Sequence, residues 1–152
     1  MFSVLGGAAE GAYVLDLFAG TGSLGIEALS RGSVKAIFVE QSRAIHAVLL
    51  QNVEKAKFSD CVQLIKAPVN RALARLGKDG CCFDLILMDP PYSDGGVAET
   101  IQLIVAHGLL KPGGWLVVEA GARNETVQAG GYSLVSEKRA GDTKVFFFLN
   151  DK

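Results

Sequence analysis

The stretch Tyr13-Val14-Leu15-Asp16-Leu17-Phe18-Ala19, followed by Gly20-Thr21-Gly22-Ser23-Leu24-Gly25, decides the fold. The first seven residues form a short apolar run interrupted by Asp16 and read as the first strand. The next six fit G-x-G-x-x-G at a strand-to-helix turn, and Ser23 to Arg31 reads as the helix, closed by Gly32. Glycines there let a ligand approach the backbone closely, and the helix N-terminus offers free N–H groups. Val34 to Glu40 reads as the second strand. It ends in an acidic residue 20 positions after Gly20, the spacing at which a carboxylate meets ribose hydroxyls. Strand, glycine turn, helix and strand make one βαβ unit of a parallel sheet.

Outward from that unit the alternation continues. Met1 to Leu5 reads as the tail of a helix ended by Gly6-Gly7. Ser42 is the expected N-cap of a helix that places Ile45, Val48, Leu49, Val53 and Ala56 on one apolar face. Val62 to Ile65 reads as a third strand, and Val69 to Leu76 as a helix stopped by Gly77. Phe83 to Met88 is a fourth strand, and Val97, Ile101, Ile104 and Val105 mark the next helix. Lys111-Pro112-Gly113-Gly114 reads as a turn before a fifth strand, Trp115 to Glu119. Beyond it the rhythm changes. Tyr132 to Lys138 and Thr143 to Leu149 are separated only by a short turn around Ala140-Gly141-Asp142 and should form an antiparallel hairpin. Val145 to Leu149 is unbroken apolar sequence, so it belongs inside the sheet, because Phe146-Phe147-Phe148 on an open edge would invite aggregation.

The totals set bounds. A chain of 152 residues, 49% apolar and 20% charged, buries a core and reads as one domain over residues 1–152. A net charge of -1 gives no overall basic field for a nucleic acid, which leaves only local basic patches. No apolar run reaches the roughly 18 residues of a membrane span, and no signal peptide is visible. Cys61, Cys81 and Cys82 are odd in number and lack metal spacing, so they read as buried thiols of a reducing, cytoplasmic compartment. His46 and His107 stand alone in helical stretches, and no metal site is expected. The expected state is a monomer.

Two carboxylates and one loop give the chemistry. Asp16 lies four positions before Gly20, where it would repel a pyrophosphate but attract an ammonium group. A ligand with ribose at one end and a charged amine at the other suits Glu40 and Asp16 together, and S-adenosylmethionine has both features and a sulfonium besides. The fourth strand runs into Asp89-Pro90-Pro91-Tyr92. Two prolines stiffen this loop and remove backbone donors. Its carboxylate and carbonyls can only accept hydrogen bonds, with a flat ring beside them, which suits a planar group bearing N–H donors.

On these residues the sequence resembles a known family. Asp16-Leu17-Phe18-Ala19-Gly20-Thr21-Gly22 is similar to motif I of the class I S-adenosylmethionine-dependent methyltransferases, and Asp89-Pro90-Pro91-Tyr92 to motif IV of their amino-methylating members. Together with Phe38-Val39-Glu40, Asp84 to Tyr92, Leu109 to Gly114 and Lys138 to Thr143, the pattern resembles the RsmD family, which methylates the N2 amine of a guanine in 16S ribosomal RNA of the small ribosomal subunit. The resemblance implies an α/β Rossmann-like fold: a seven-stranded, mostly parallel sheet with helices on both faces, whose last strand is antiparallel and inserted. It implies S-adenosylmethionine as cofactor, with Asp16, Phe18 and the Gly20-Thr21-Gly22 backbone at the methionine end, Glu40 on the ribose and the Val69 N–H toward the adenine. Asp89 and the Pro90 carbonyl, stiffened by Pro91, would receive the guanine amine, and Tyr92 would stack on the base.

Three departures accompany it. The family's N-terminal segment, which helps cover the cofactor and contact RNA, has no counterpart ahead of Met1. Pro68 stands where the family often has an acidic residue near the adenine, so weakened cofactor binding is expected. Ala140 replaces an aromatic beside the hairpin turn, leaving Lys138 and Arg139 as candidate phosphate contacts. Other readings of the same residues are an adenine N6 or protein glutamine amide as acceptor, an NAD-dependent oxidoreductase, and a truncated domain that binds cofactor weakly.

Overall fold

A computed structural model describes residues 1–91, 96–121 and 127–152. Among the described residues seven strands form one sheet: β1 (Tyr13–Leu17), β2 (Lys35–Val39), β3 (Val62–Ile65), β4 (Phe83–Met88), β5 (Leu110–Gly121), β6 (Ser133–Ala140) and β7 (Thr143–Leu149). Their order is β3-β2-β1-β4-β5-β7-β6, with the first five parallel and β7 antiparallel to both β5 and β6. This is the architecture implied by the family resemblance, and β7 is an interior strand as its apolar run requires. Phe146, Phe147 and Phe148 are all buried, facing alternate sides of the sheet. The hairpin closes through Gly141-Asp142, with Ala140 paired to Thr143. Gly141 takes φ 60°, which glycine adopts at the first position of a two-residue hairpin turn.

Helices α1 (Phe2–Leu5), α2 (Ser23–Ser30) and α3 (Arg43–Lys55) cover one face, and α4 (Val69–Lys78) and α5 (Gly96–Ala106) the other. The strand period of two sorts side chains between the layers. Val14, Phe38, Leu87 and Val117 pack with Ala28, Leu29, Leu49 and Val53 on the α1–α3 side. Leu15, Leu17, Ile37, Ile86 and Leu116 pack with Leu73, Leu76, Ile101 and Ile104 on the other. Among the described residues no helix is long and apolar enough to cross a membrane.

Several local expectations are corrected. Helix α4 passes through Gly77 and ends after Lys78, with Gly80 in the left-handed region at φ 74°. Gly77 is small for a packing reason: a Cβ there would lie 2.8 Å from Cβ of His107. On α3, Ser42 does cap the helix, accepting from Ile45 N–H at 3.3 Å, but only Leu49 and Val53 are buried. Ile45 and Val48 are each 41% exposed, because α3 meets the sheet along a narrow stripe. Lys111-Pro112-Gly113-Gly114 is a bulge inside β5, since Phe83 pairs with Leu110 and Leu85 with Trp115. Asn150 holds it, donating its backbone N–H to Gly114 O at 2.9 Å and its side-chain amide to Leu110 O at 2.9 Å. The three cysteines are free and half-buried, where burial was expected. Asp84, the polar break in β4, accepts from Tyr13 N–H at 2.9 Å and pairs with Lys111 at 3.3 Å.

Candidate functional site

The carboxyl ends of β1, β2, β4 and β5 each lead to an acidic residue. Asp16 and Glu40 follow Val14 and Phe38 by two positions, and Asp89 and Glu119 follow Leu87 and Val117 by two. Those four apolar residues pack in the α1–α3 layer. Strand alternation therefore carries four carboxylates toward the same side of the sheet, at one edge. A crevice of about 490 Å³ opens there, lined by Phe18, Gly20, Glu40, Asp89, Pro90 and Glu119 among others. It lies where an open parallel sheet binds ligands, outside the strand ends, and its size suits a small molecule.

The glycine turn is built tightly. Ala19 N–H donates to Val39 O at 2.9 Å, Gly22 N–H to Ala19 O at 2.9 Å, and Asn52 Nδ2 to Thr21 O at 2.9 Å. Gly22, at φ 88°, and Gly25 could not accept a side chain: a Cβ on the first would strike Leu49, and on the second the Phe38 ring. Gly20 differs. It has φ 58°, and a Cβ there would meet nothing within 4 Å. Its backbone is thus open to the crevice. Phe18 takes φ 57°, a strained value for an aromatic residue. Its side chain lines both the crevice and an adjoining cleft of about 210 Å³ that includes Pro68, Asn70, Glu99 and Thr100.

Electrostatics distinguishes the four acids. Asp16 is buried beneath the loop, and its Oδ2 accepts from Gly25 N–H at 3.0 Å. Its carboxyl is raised to about 8, chiefly by burial, against the pull of that hydrogen bond and with a smaller contribution from the nearby Asp89 and Glu40 charges. Glu40 accepts from Gly20 N–H at 3.0 Å and from Ser42 N–H at 2.8 Å, one on each oxygen. Asp89 is exposed at the crevice wall, yet the surrounding protein strips enough water to raise its carboxyl above the usual range. Glu119 is half-buried and raised by burial and then by Asp89, with the Met1 amino group drawing it back. Such a site disfavours further negative charge and favours a cation or neutral N–H donors.

Phe18, Gly20, Glu40, Val69, Asp89, Pro90 and Pro91 all line the crevice, as a shared site requires. Asp16 lies behind the loop, while Thr21 and Gly22 are absent from the lining. Tyr92 lies outside the described residues. Val69 is the first residue of α4, whose Pro68 N-cap supplies no side-chain bond, so the first-turn N–H groups have no side-chain cap. Val39, Gln41, Ile45, Ala67 and Glu119 also line the crevice and were not foreseen. For Glu119 a signal existed: like Glu40, it ends an apolar strand. Ile45 carried the opposite signal, since its helical spacing marked it as core.

Comparison with known proteins agrees with this geometry. A profile of the family described as conserved hypothetical protein 95 matches residues 1–149. Ribosomal RNA small subunit methyltransferase D of Escherichia coli (strain K12) is 35% identical over 132 residues, 86% of this chain and 64% of that protein. YlbH of Bacillus subtilis (strain 168) is 34% identical over 119 residues, 78% of this chain and 65% of that protein. The chain thus spans just under two thirds of the length of these relatives. A solved structure of a conserved hypothetical protein from Streptococcus pyogenes superposes with a TM-score of 0.87 at 34% identity, covering 98% of this chain and 92% of that one. The sheet is that of the class I methyltransferases.

Proposed function

Because the chain belongs to the family described as conserved hypothetical protein 95, the RsmD family, we propose that it transfers a methyl group from S-adenosylmethionine to the exocyclic N2 amine of a guanine in 16S ribosomal RNA. The observation that carries this reading is the crevice itself. It sets the acceptor loop Asp89-Pro90-Pro91 across from Gly20 and Glu40.

The residues fit the cofactor. The open Cα of Gly20 leaves room for a ligand against the backbone, and the acidic surroundings suit a sulfonium and an ammonium group. Each oxygen of Glu40 already takes one N–H and keeps acceptor capacity for a ribose hydroxyl. Asp16 shapes the turn through Gly25, and a cation bound at the methionine end would favour its ionised form. The Val69 N–H, at the start of α4 and without a side-chain cap from Pro68, would meet the adenine. When bound, S-adenosylmethionine supplies a methyl group already activated by its sulfonium.

The protein then has to align an amine. A guanine N2 is a weak nucleophile because its lone pair is delocalised into the ring. The Asp89 carboxylate and the Pro90 carbonyl accept its two hydrogens and favour a pyramidal nitrogen. Methyl transfer would leave the sulfonium as a neutral thioether and the amine with one proton to lose, which Asp89 receives and passes to water. Alignment and charge placement do most of the catalysis, and no strong base is needed. Stacking on the base, worth about 1–3 kcal/mol by analogy with single-strand binders, is the role assigned to Tyr92, which lies outside the described residues. Lys138 and Arg139, exposed on β6, are the candidate phosphate contacts.

The test is incubation with labelled S-adenosylmethionine and small ribosomal subunits that lack the modification. Label on a guanine N2, abolished by Asp89→Ala, is the expected result. No label on the RNA overturns the proposal, and label on an adenine N6 or a protein glutamine replaces its acceptor.

A further inference from the structure

We infer that Glu119 is a specificity-determining residue: it accepts the N1–H of the target guanine beside the amine held by Asp89, and so rejects adenine. The inference rests on the guanine reading above and goes further in naming what selects the base.

Three observations place Glu119 there. Val118 pairs with Met88 in the parallel register of β4 and β5, so Glu119 and Asp89 are the next residues on neighbouring strands. Both follow residues of the same apolar layer by two positions, and both line the crevice with Pro90. Glu119 is half-buried, and none of the hydrogen bonds or ion pairs among the described residues engages its carboxylate. Asp84 and Glu40, by contrast, are tied by backbone N–H groups. A carboxylate held next to another, with no donor to it among the described residues, is an arrangement that a ligand's N–H would stabilise.

Base chemistry supplies it. The Watson–Crick edge of guanine sets the N1–H donor directly beside the N2 amine. Two neighbouring acceptor groups match these adjacent donors, and each donor relieves part of the Asp89–Glu119 repulsion. Adenine presents its N6 amine beside a bare N1 lone pair. Aimed at Glu119, that lone pair would face a second acceptor with no hydrogen between them. The rejection comes from an unpaired, partly desolvated group, which discriminates more strongly than shape alone.

The test compares two acceptor RNAs: one with guanine at the target position and one with 2-aminopurine, which keeps the C2 amine but lacks the N1–H. The protein should methylate guanine with a kcat/KM at least about tenfold above that for 2-aminopurine, as a lost specific pair predicts. In Glu119→Gln, whose amide can donate to a bare N1, that ratio should collapse toward one. A merely structural role would lower both rates and leave the ratio unmoved, which overturns the inference. Equal use of both bases by the unaltered protein overturns it too, even if the variant does not fold. If neither RNA nor the whole subunit is methylated, the proposed function itself fails and this inference with it.

Discussion

At the scale of single residues, Asp16 determines how the site responds to pH. Its carboxyl is raised to about 8, chiefly by burial, so it is largely protonated in the free protein near neutrality. A cationic ligand interacts better with the ionised form and therefore pulls its pKa down. Binding must then release a proton below pH 8. Affinity for S-adenosylhomocysteine, which carries the ammonium group, should rise between about pH 6 and 8 and level off above that, by linkage. Calorimetry in buffers of different ionisation enthalpy measures the proton directly. In Asp16→Asn the release and the pH dependence should both vanish. A ligand affinity that is flat in the unaltered protein would show that Asp16 does not sense the ammonium group. Asp16 and Glu40 were readable in sequence because each ends a strand beside the glycine turn. Glu119 was as readable in principle, but no linear spacing tied it to that turn.

At the scale of elements, small residues record where helices approach one another. Gly77 interrupts the pattern of α4 and reads as a stop, yet the helix continues because the glycine makes room for His107, just beyond the end of α5. Gly77→Ala gains helix propensity but drives a methyl group against His107 Cβ, which cannot swing away. It should lower stability by about 1–3 kcal/mol, the usual range for overpacking. In the background of His107→Gly, which removes that Cβ, the same change should cost much less, and urea unfolding of the two single variants and the double variant measures it. A stabilised single variant would mean that the contact relaxes freely. The same limit explains α3. Helical period marked Ile45 and Val48 as core, but only contact with the sheet decides which side of an apolar stripe is covered, and Ile45 instead lines the crevice.

At the scale of the whole molecule, the concentration of acids at one sheet edge costs stability as pH rises. Asp16, Asp89 and Glu119 all have raised carboxyls, with burial the leading cause in each. A native pKa above the unfolded value means that the native state binds more protons between the two. The contribution to stability is full below the unfolded value and lost as pH rises through the native one. For Asp16 that window runs from about 4 to about 8. The urea midpoint should therefore fall from pH 6 to pH 8.5, and Asp16→Asn should flatten the fall. An equal slope in both proteins would remove Asp16 as its source. The order of strands and helices, the glycine turn, the interior place of β7 and the acceptor loop were determined by sequence, because each follows from local period, turn chemistry or the cost of an exposed apolar edge. The meeting of Asp89 with Glu119, the bulge held by Asn150 and the close contact of Gly77 with His107 were decided only by tertiary structure. Each joins residues whose proximity comes from strand register or helix packing, and none of the three is written in any single stretch of the chain.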